Sequence, residues 1–307
     1  MIKHKFFLFL LFCVSTAVCS QTVKLVVPFS AGGMADRAAR GIEKTLANRL
    51  PYNFNVEYQL GAAGLIAANN VANNHSRETV LLLHSSAIAT NAFNSYSTYD
   101  LAKDFVPVAK LGSVPMVLIF NRQTGIASIK QLRQTNVPMF YATSGPGSAS
   151  HVAGELLENS VSKNLTPVFY KGESAAFNDI LSNSVTMMFL SASIVTSYTN
   201  SSQFYMTAIT GTHRNPKLPD VPTFAEQGIR NFDRSPNWIV VLANPGADLA
   251  IVARIRTALA ASFKSPQDQE VYHRVGLEPN SYLTTNVREF LMEEVERIRP
   301  FQTKLQQ

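Results

Sequence analysis

From Ser144 to His151 the chain reads Ser-Gly-Pro-Gly-Ser-Ala-Ser-His, hydroxyls and glycines crowded into one short stretch. An apolar run precedes it and a helical pattern follows. A strand feeding such a turn and then a helix aims free backbone N–H groups and hydroxyls at one point. That suits a carboxylate or phosphate without any cationic side chain. The candidates are Thr143, Ser144, Gly145, Ser148, Ser150 and His151. A similar element follows Val23–Val27: Phe29, Ser30, Ala31, Gly32 and Gly33 form a first cradle, the glycines permitting close backbone approach. Two cradles far apart in sequence predict two lobes that close on a small acidic ligand.

The same residues allow a second chemistry. Ser148 and His151, three apart at a helix start, could pair as nucleophile and base in an exported serine hydrolase, with Glu155 the only local acid. The stretch is not the G-x-S-x-G elbow, however, and no orienting acid is evident. Ser85, Ser86, Thr90 and Asn91 end an apolar strand and wall the expected cleft. Ser191 and Ser193 end another, and Lys171 stands at a strand end where it could steer an anion. Asp36 and Arg40, four apart on one helical face, pair with each other or reach a ligand amine or hydroxyl. No G-x-G-x-x-G fingerprint and no clustered histidines occur, so neither a nucleotide cofactor nor a metal is expected.

The elements that must position these residues are short apolar strands alternating with longer amphipathic segments. Val23–Val27, Phe54–Tyr58 and Val80–His84 read as strands, with helices over Ala35–Arg49 and Ala63–Asn73. A second series runs from Pro138–Thr143 to Phe204–Thr210. The pattern predicts an α/β fold with mostly parallel sheets, whose ligands lie outside the carboxyl ends of the strands. Val106–Phe120 suits a crossover between lobes, and Trp238–Ala243 a return strand with Trp238 in the core. The expected division is a discontinuous first lobe, 21–121 plus 238–307, and a second lobe, 122–237.

Residues 1–20 have the basic start, apolar centre and small-residue end of a secretory signal, too short to span a bilayer. Both cysteines, Cys13 and Cys19, lie inside it, so cleavage near Ser20 leaves no thiol, disulfide or cysteine-bound metal; lipidation at Cys19 is the alternative. Removing 20 of the 307 residues leaves 287, enough for two domains, and lowers the net charge from +6 to +4. No basic run occurs, and nucleic-acid binding is not indicated.

Several blocks resemble one family, the periplasmic solute-binding receptors of tripartite tricarboxylate transporters, also called Bug receptors. They are Val26-Val27-Pro28-Phe29…Gly32-Gly33…Asp36…Ala39-Arg40, Asp104–Ala109, Tyr141-Ala142…Ser144-Gly145…Gly147-Ser148…His151…Gly154-Glu155, Tyr170-Lys171-Gly172 and Pro219–Thr223…Glu226…Gly228. The resemblance runs from about Val23 to the C-terminus. It implies a two-lobed type II periplasmic-binding-protein fold, capture of a small carboxylate in the cleft, and delivery to a membrane permease by a monomeric receptor. A receptor that signals to a membrane sensor would share the same fold. The chain departs from the family at Ser76–Thr79, Thr186, Ser182–Ser184 and Leu190–Ser193. The absence of an arginine clamp favours a mono- or dicarboxylate over a tricarboxylate.

Overall fold

The computed structural model describes residues 21–29, 31, 34–170, 172–199, 202–278 and 284–305. The expected signal segment, Ser30, Gly32, Gly33 and Lys171 lie outside them.

The first sheet contains β1 (Thr22–Val27), β2 (Asn53–Tyr58), β3 (Val80–Ser85), β4 (Val106–Ser113) and β10 (Trp238–Ala243), in the order β2-β1-β3-β10-β4. β1 is parallel to β2 and β3, whereas β10 is antiparallel to both β3 and β4. The second sheet repeats the plan with β5 (Met116–Asn121), β6 (Met139–Thr143), β7 (Leu165–Phe169), β8 (Met187–Ser191) and β9 (Phe204–Ile209), in the order β7-β6-β8-β5-β9. Here β6 is parallel to β7 and β8, and β5 antiparallel to β8 and β9. The α/β fold has two lobes.

One boundary differs from expectation. Residues 116–121 were assigned to the first lobe, yet β5 pairs on both edges within the second sheet. The chain changes sheets at Val114–Pro115. The strands β4 and β5 are both apolar, and Pro115 cannot donate to a ladder, so the break falls at the proline.

Helices follow the apolar periodicity. In α1 (Met34–Ala47), Ala35, Ala38, Ala39, Ile42 and Leu46 form one buried stripe. The helix expected over 63–73 starts later, as α2 (Leu65–Ala72), because Ala62, Ala63 and Gly64 all have positive φ. The expected C-terminal helix, 285–305, is divided at Pro300 into α10 (Val287–Ile298) and a final turn, α11 (Gln302–Leu305); in between come α3 (Ala87–Asn91), α4 (Ile129–Gln134), α5 (Ala149–Val161), α6 (Glu173–Leu181), α7 (Ala192–Val195), α8 (Leu249–Ser262) and α9 (Pro266–Arg274).

One continuous apolar layer joins the lobes. It includes Val26, Leu82 and Val240 of the first sheet, Leu118, Phe120 and Phe189 of the second, and Phe290, Leu291 and Leu305 of the C-terminal segment. Trp238, at the return crossover, is buried there; its indole N–H donates to Glu294 Oε2 at 3.1 Å.

Close packing also sets the seat of α5. A Cβ on Gly154 would overlap the ring of Tyr141, so only glycine lets α5 lie on β6 at this distance. Gly154→Ala is expected to cost about 1–3 kcal/mol, lowering the thermal midpoint by roughly 2–4 °C per kcal/mol. A midpoint equal to the wild type in a thermal melt would contradict that packing.

Candidate functional site

At the end of β6 the chain makes the turn Ser144–Gly147, in which Gly145 (φ +128°) and Gly147 (φ +67°) adopt conformations that side chains rarely allow. Ser148 then caps α5, its Oγ accepting from the His151 amide at 3.3 Å. Behind the turn lies a cluster of four hydroxyls. Ser150 Oγ accepts from the Ser144 amide at 3.0 Å and lies 3.1 Å from Thr143 Oγ1, 3.0 Å from Ser144 Oγ and 3.1 Å from Ser148 Oγ. Thr143 Oγ1 and Ser148 Oγ are 2.9 Å apart. Thr143 and Ser150 are buried, whereas Ser144, Gly145 and Ser148 are half-buried. Each hydroxyl carries one rotatable proton, so the cluster can turn donors toward an anion without moving a heavy atom.

His151 packs at the start of α5. Its ring is fully buried, and Nδ1 accepts from the Gly147 amide at 3.1 Å. That bond leaves the proton on Nε2, which sits 3.8 Å from Glu155 Oε1. Glu155 Oε1 accepts from the Tyr141 hydroxyl at 2.9 Å, and Glu155 Oε2 lies 3.1 Å from Lys304 Nζ. The imidazole therefore braces the turn from behind. Burial first, and the nearby Lys304 ammonium second, lower its pKa to about 4.

The facing lobe reaches the same turn. The Thr90 hydroxyl lies 2.9 Å from Gly147 O and 2.8 Å from Ala87 O, its one proton shared between the two carbonyls. Thr90 and Asn91 line an interlobe cavity of about 240 Å³ with Ala62, Ala63, Pro146 and Gly147. Ala62 (φ +47°) and Ala63 (φ +50°) are alanines held in left-handed geometry, a strain that collects at ligand-facing loops. Asn91 Nδ2 donates to Ala63 O at 3.1 Å, and a Cβ on Gly64 would overlap His84 Nε2. The sequence reading missed this Gly61–Gly64 loop because its alanines look helical; the paired glycines after a strand were the signal.

Of the other candidates, Asp36 takes the expected pairing with Arg40. Asp36 Oδ1 accepts from the Tyr58 hydroxyl at 2.6 Å and lies 3.6 Å from Arg40 Nε, so it ties α1 to β2. The Ser191 amide and hydroxyl both donate to Glu173, at 2.7 and 2.9 Å to Oε1. Ser193 is exposed on α7, beside Gly276 of the first lobe. Ser85 ends β3 and Ser86 precedes α3, and, like Ser144, Gly145 and Ser148, they do not line the cavity; Ser85 Oγ accepts weakly from the Ala87 amide at 3.4 Å. Phe29 packs edge-on against His84 at 5.5 Å, and Ala31 is exposed. A larger open groove, about 710 Å³, lies between α5 and the C-terminal segment. Its lining mixes the cations Arg230, Arg234, Arg297 and Lys304 with the carboxylates Glu155, Glu158 and Asp233, and Arg234, Arg297 and Lys304 are paired with Glu293, Glu294 and Glu155. Among the described residues no group of three or more histidines, cysteines or carboxylates is placed to hold a metal, and no helix is long and apolar enough to cross a membrane.

The family model for the tripartite tricarboxylate transporter family receptor matches residues 38–306. The chain belongs to that receptor family. Among curated relatives, protein BugT of Bordetella pertussis is 28% identical over 286 residues, covering 91% of this chain and 87% of the relative. The solved periplasmic binding protein BugD is 27% identical with a TM-score of 0.76, covering 93% of this chain and 97% of its own. Rpa4515 of R. palustris, solved with adipate, is 27% identical with a TM-score of 0.78, covering 94% and 98%. In this receptor of the family, the gathered polar groups stand at strand ends on facing lobes, where the fold class binds its ligands.

The two buried imidazoles give a pH signature. His84, like His151, is lowered from 6.5 to about 4 by burial. Below pH 6.5 the unfolded chain takes up protons that the folded one refuses until about pH 4. These residues therefore contribute stability above pH 6.5 that falls away as pH drops through the window, by about 1.4 kcal/mol per pH unit for each histidine. His151→Gln should remove one such share from the slope of unfolding free energy against pH. Urea unfolding across the window checks this, and an unchanged slope would place a charged imidazole in the folded turn.

Proposed function

We propose that the chain is a periplasmic receptor that captures a small carboxylate between its lobes and delivers it to the membrane components of a tripartite tricarboxylate-type transporter. The observation that carries this reading is the Ser144–Ser148 turn, which offers the Ser144 and Ser148 hydroxyls while its Gly147 carbonyl is held by Thr90 of the facing lobe. Charge-assisted hydrogen bonds from such groups hold a carboxylate without a cation, and lobe closure completes the site. Adipate in Rpa4515 and the periplasmic description of BugD support the ligand class and the compartment. The interlobe cavity suits a mono- or dicarboxylate. Export follows from the signal removed near Ser20, and the receptor acts as a monomer.

The geometry opposes the hydrolase alternative. His151 has its Nδ1 committed to the Gly147 amide and its Nε2 turned toward Glu155, while Ser148 Oγ contacts the Thr143 and Ser150 hydroxyls. Among the described residues no base stands ready to take the Ser148 proton.

The test is thermal unfolding of purified protein, stripped of carried-over ligand by unfolding and refolding, against a panel of small carboxylates. A binder at a hundredfold over its Kd should add about 2.7 kcal/mol. Thr90→Val, which removes the interlobe bond, should weaken binding of that acid about three- to tenfold by calorimetry. If no acid raises the midpoint, the receptor reading fails; ester turnover lost in Ser148→Ala would restore the hydrolase.

A further inference from the structure

Glu173 opens α6 immediately after Gly172, which has φ +109°. Its carboxylate takes both donors at the end of β8: the Ser191 amide at 2.7 Å and the Ser191 hydroxyl at 2.9 Å to Oε1 and 3.2 Å to Oε2. This is how the cradle binds an anion, except that here the anion belongs to the protein.

Topology places it beside the proposed ligand turn. β8 lies next to β6, parallel to it, with Ala142 opposite Met188. The turn after β7, which leads into α6, abuts the turn after β6: a Cβ on Gly145 would lie 3.7 Å from Tyr170 O. Glu173 thus spans the carboxyl-end edge of the second sheet, half-buried, and takes both the amide and the hydroxyl of Ser191. No salt bridge to a basic side chain forms among the described residues. Burial raises its pKa, and the Ser191 bonds oppose that rise. A ligand's second carboxylate directed here meets like charge and finds the Ser191 donors taken, and juxtaposed like charges weaken association strongly.

We propose that Glu173 sets ligand selectivity, favouring small monocarboxylates whose other end carries a hydroxyl or ammonium donor and discriminating against a second carboxylate. This rests on the carboxylate-receptor reading above. A donor on the ligand can use the free lone pairs of Glu173, whereas a second carboxylate can do so only if a proton is taken up.

The experiment is calorimetric titration of the purified protein with matched acids, 3-hydroxybutyrate and 4-aminobutyrate against succinate and glutarate, repeated on Glu173→Gln. The glutamine is close in shape and its carbonyl can still accept from Ser191. The wild type should bind the donor-bearing acids at least about tenfold more tightly than the dicarboxylates, and Glu173→Gln should bring the two classes within about threefold. If the wild type binds dicarboxylates equally well or better, selectivity by Glu173 is overturned while the receptor reading stands. The wild-type comparison decides this even if the variant does not fold. An unchanged ratio in a folded variant also overturns it. If neither class binds the wild type, the receptor reading fails and takes this inference with it.

Discussion

The peptide groups flanking one residue, Gly147, hold the proposed site together. Its amide donates into the second lobe, to the buried ring of His151, and its carbonyl accepts from Thr90 of the first lobe. A buried amide left without a partner costs about 1–3 kcal/mol, so the imidazole must remain a neutral acceptor. Burial, aided by the Lys304 ammonium, keeps it neutral. From that requirement follow the orientation of Nε2 toward Glu155, the bond from Tyr141 to Glu155, and the glycine at 154 that lets α5 approach Tyr141. The hydroxyls of the turn are positioned by a polar network that reaches from Glu155 behind α5 to Gly147 and Thr90 at the interlobe cavity.

The lobes are joined as firmly as each is built. The apolar layer shared by the two sheets and the C-terminal helix means that neither lobe has a separate core on that side. Glu294 fixes this region, accepting from the Trp238 indole and pairing with Arg297 at 3.3 Å, whose guanidinium also donates to the Asn231 and Arg234 carbonyls. A buried carboxylate is tolerable there because cation and indole both bond to it.

Much of this was legible in the sequence. Apolar runs gave the strands, and the Gly/Ser clusters after them marked the turns, because only such residues combine close approach with donors. What sequence spacing could not settle was direction. Three positions along α5 place His151 near Ser148, yet whether the ring turns outward or inward depends on Gly147 and on the space beside Tyr141. Ser191 looked free because its partner, Glu173, lies on a different element and meets it only through the sheet order β7-β6-β8. The lobe boundary was misplaced for a similar reason. Hydropathy cannot distinguish a strand that continues in one sheet from one that enters another.

The strand order also bears on how the molecule can be assembled. The second sheet draws all five strands from one continuous stretch, 116–209, whereas the first lacks its fourth strand until residues 238–243 have been added. As the chain emerges from its N-terminus, the apolar edge of β3 has no partner while the whole second lobe is produced. Long-range antiparallel pairing of this kind is slow, and an open edge invites intermolecular pairing. The earlier-made half of the receptor is therefore the later to be finished.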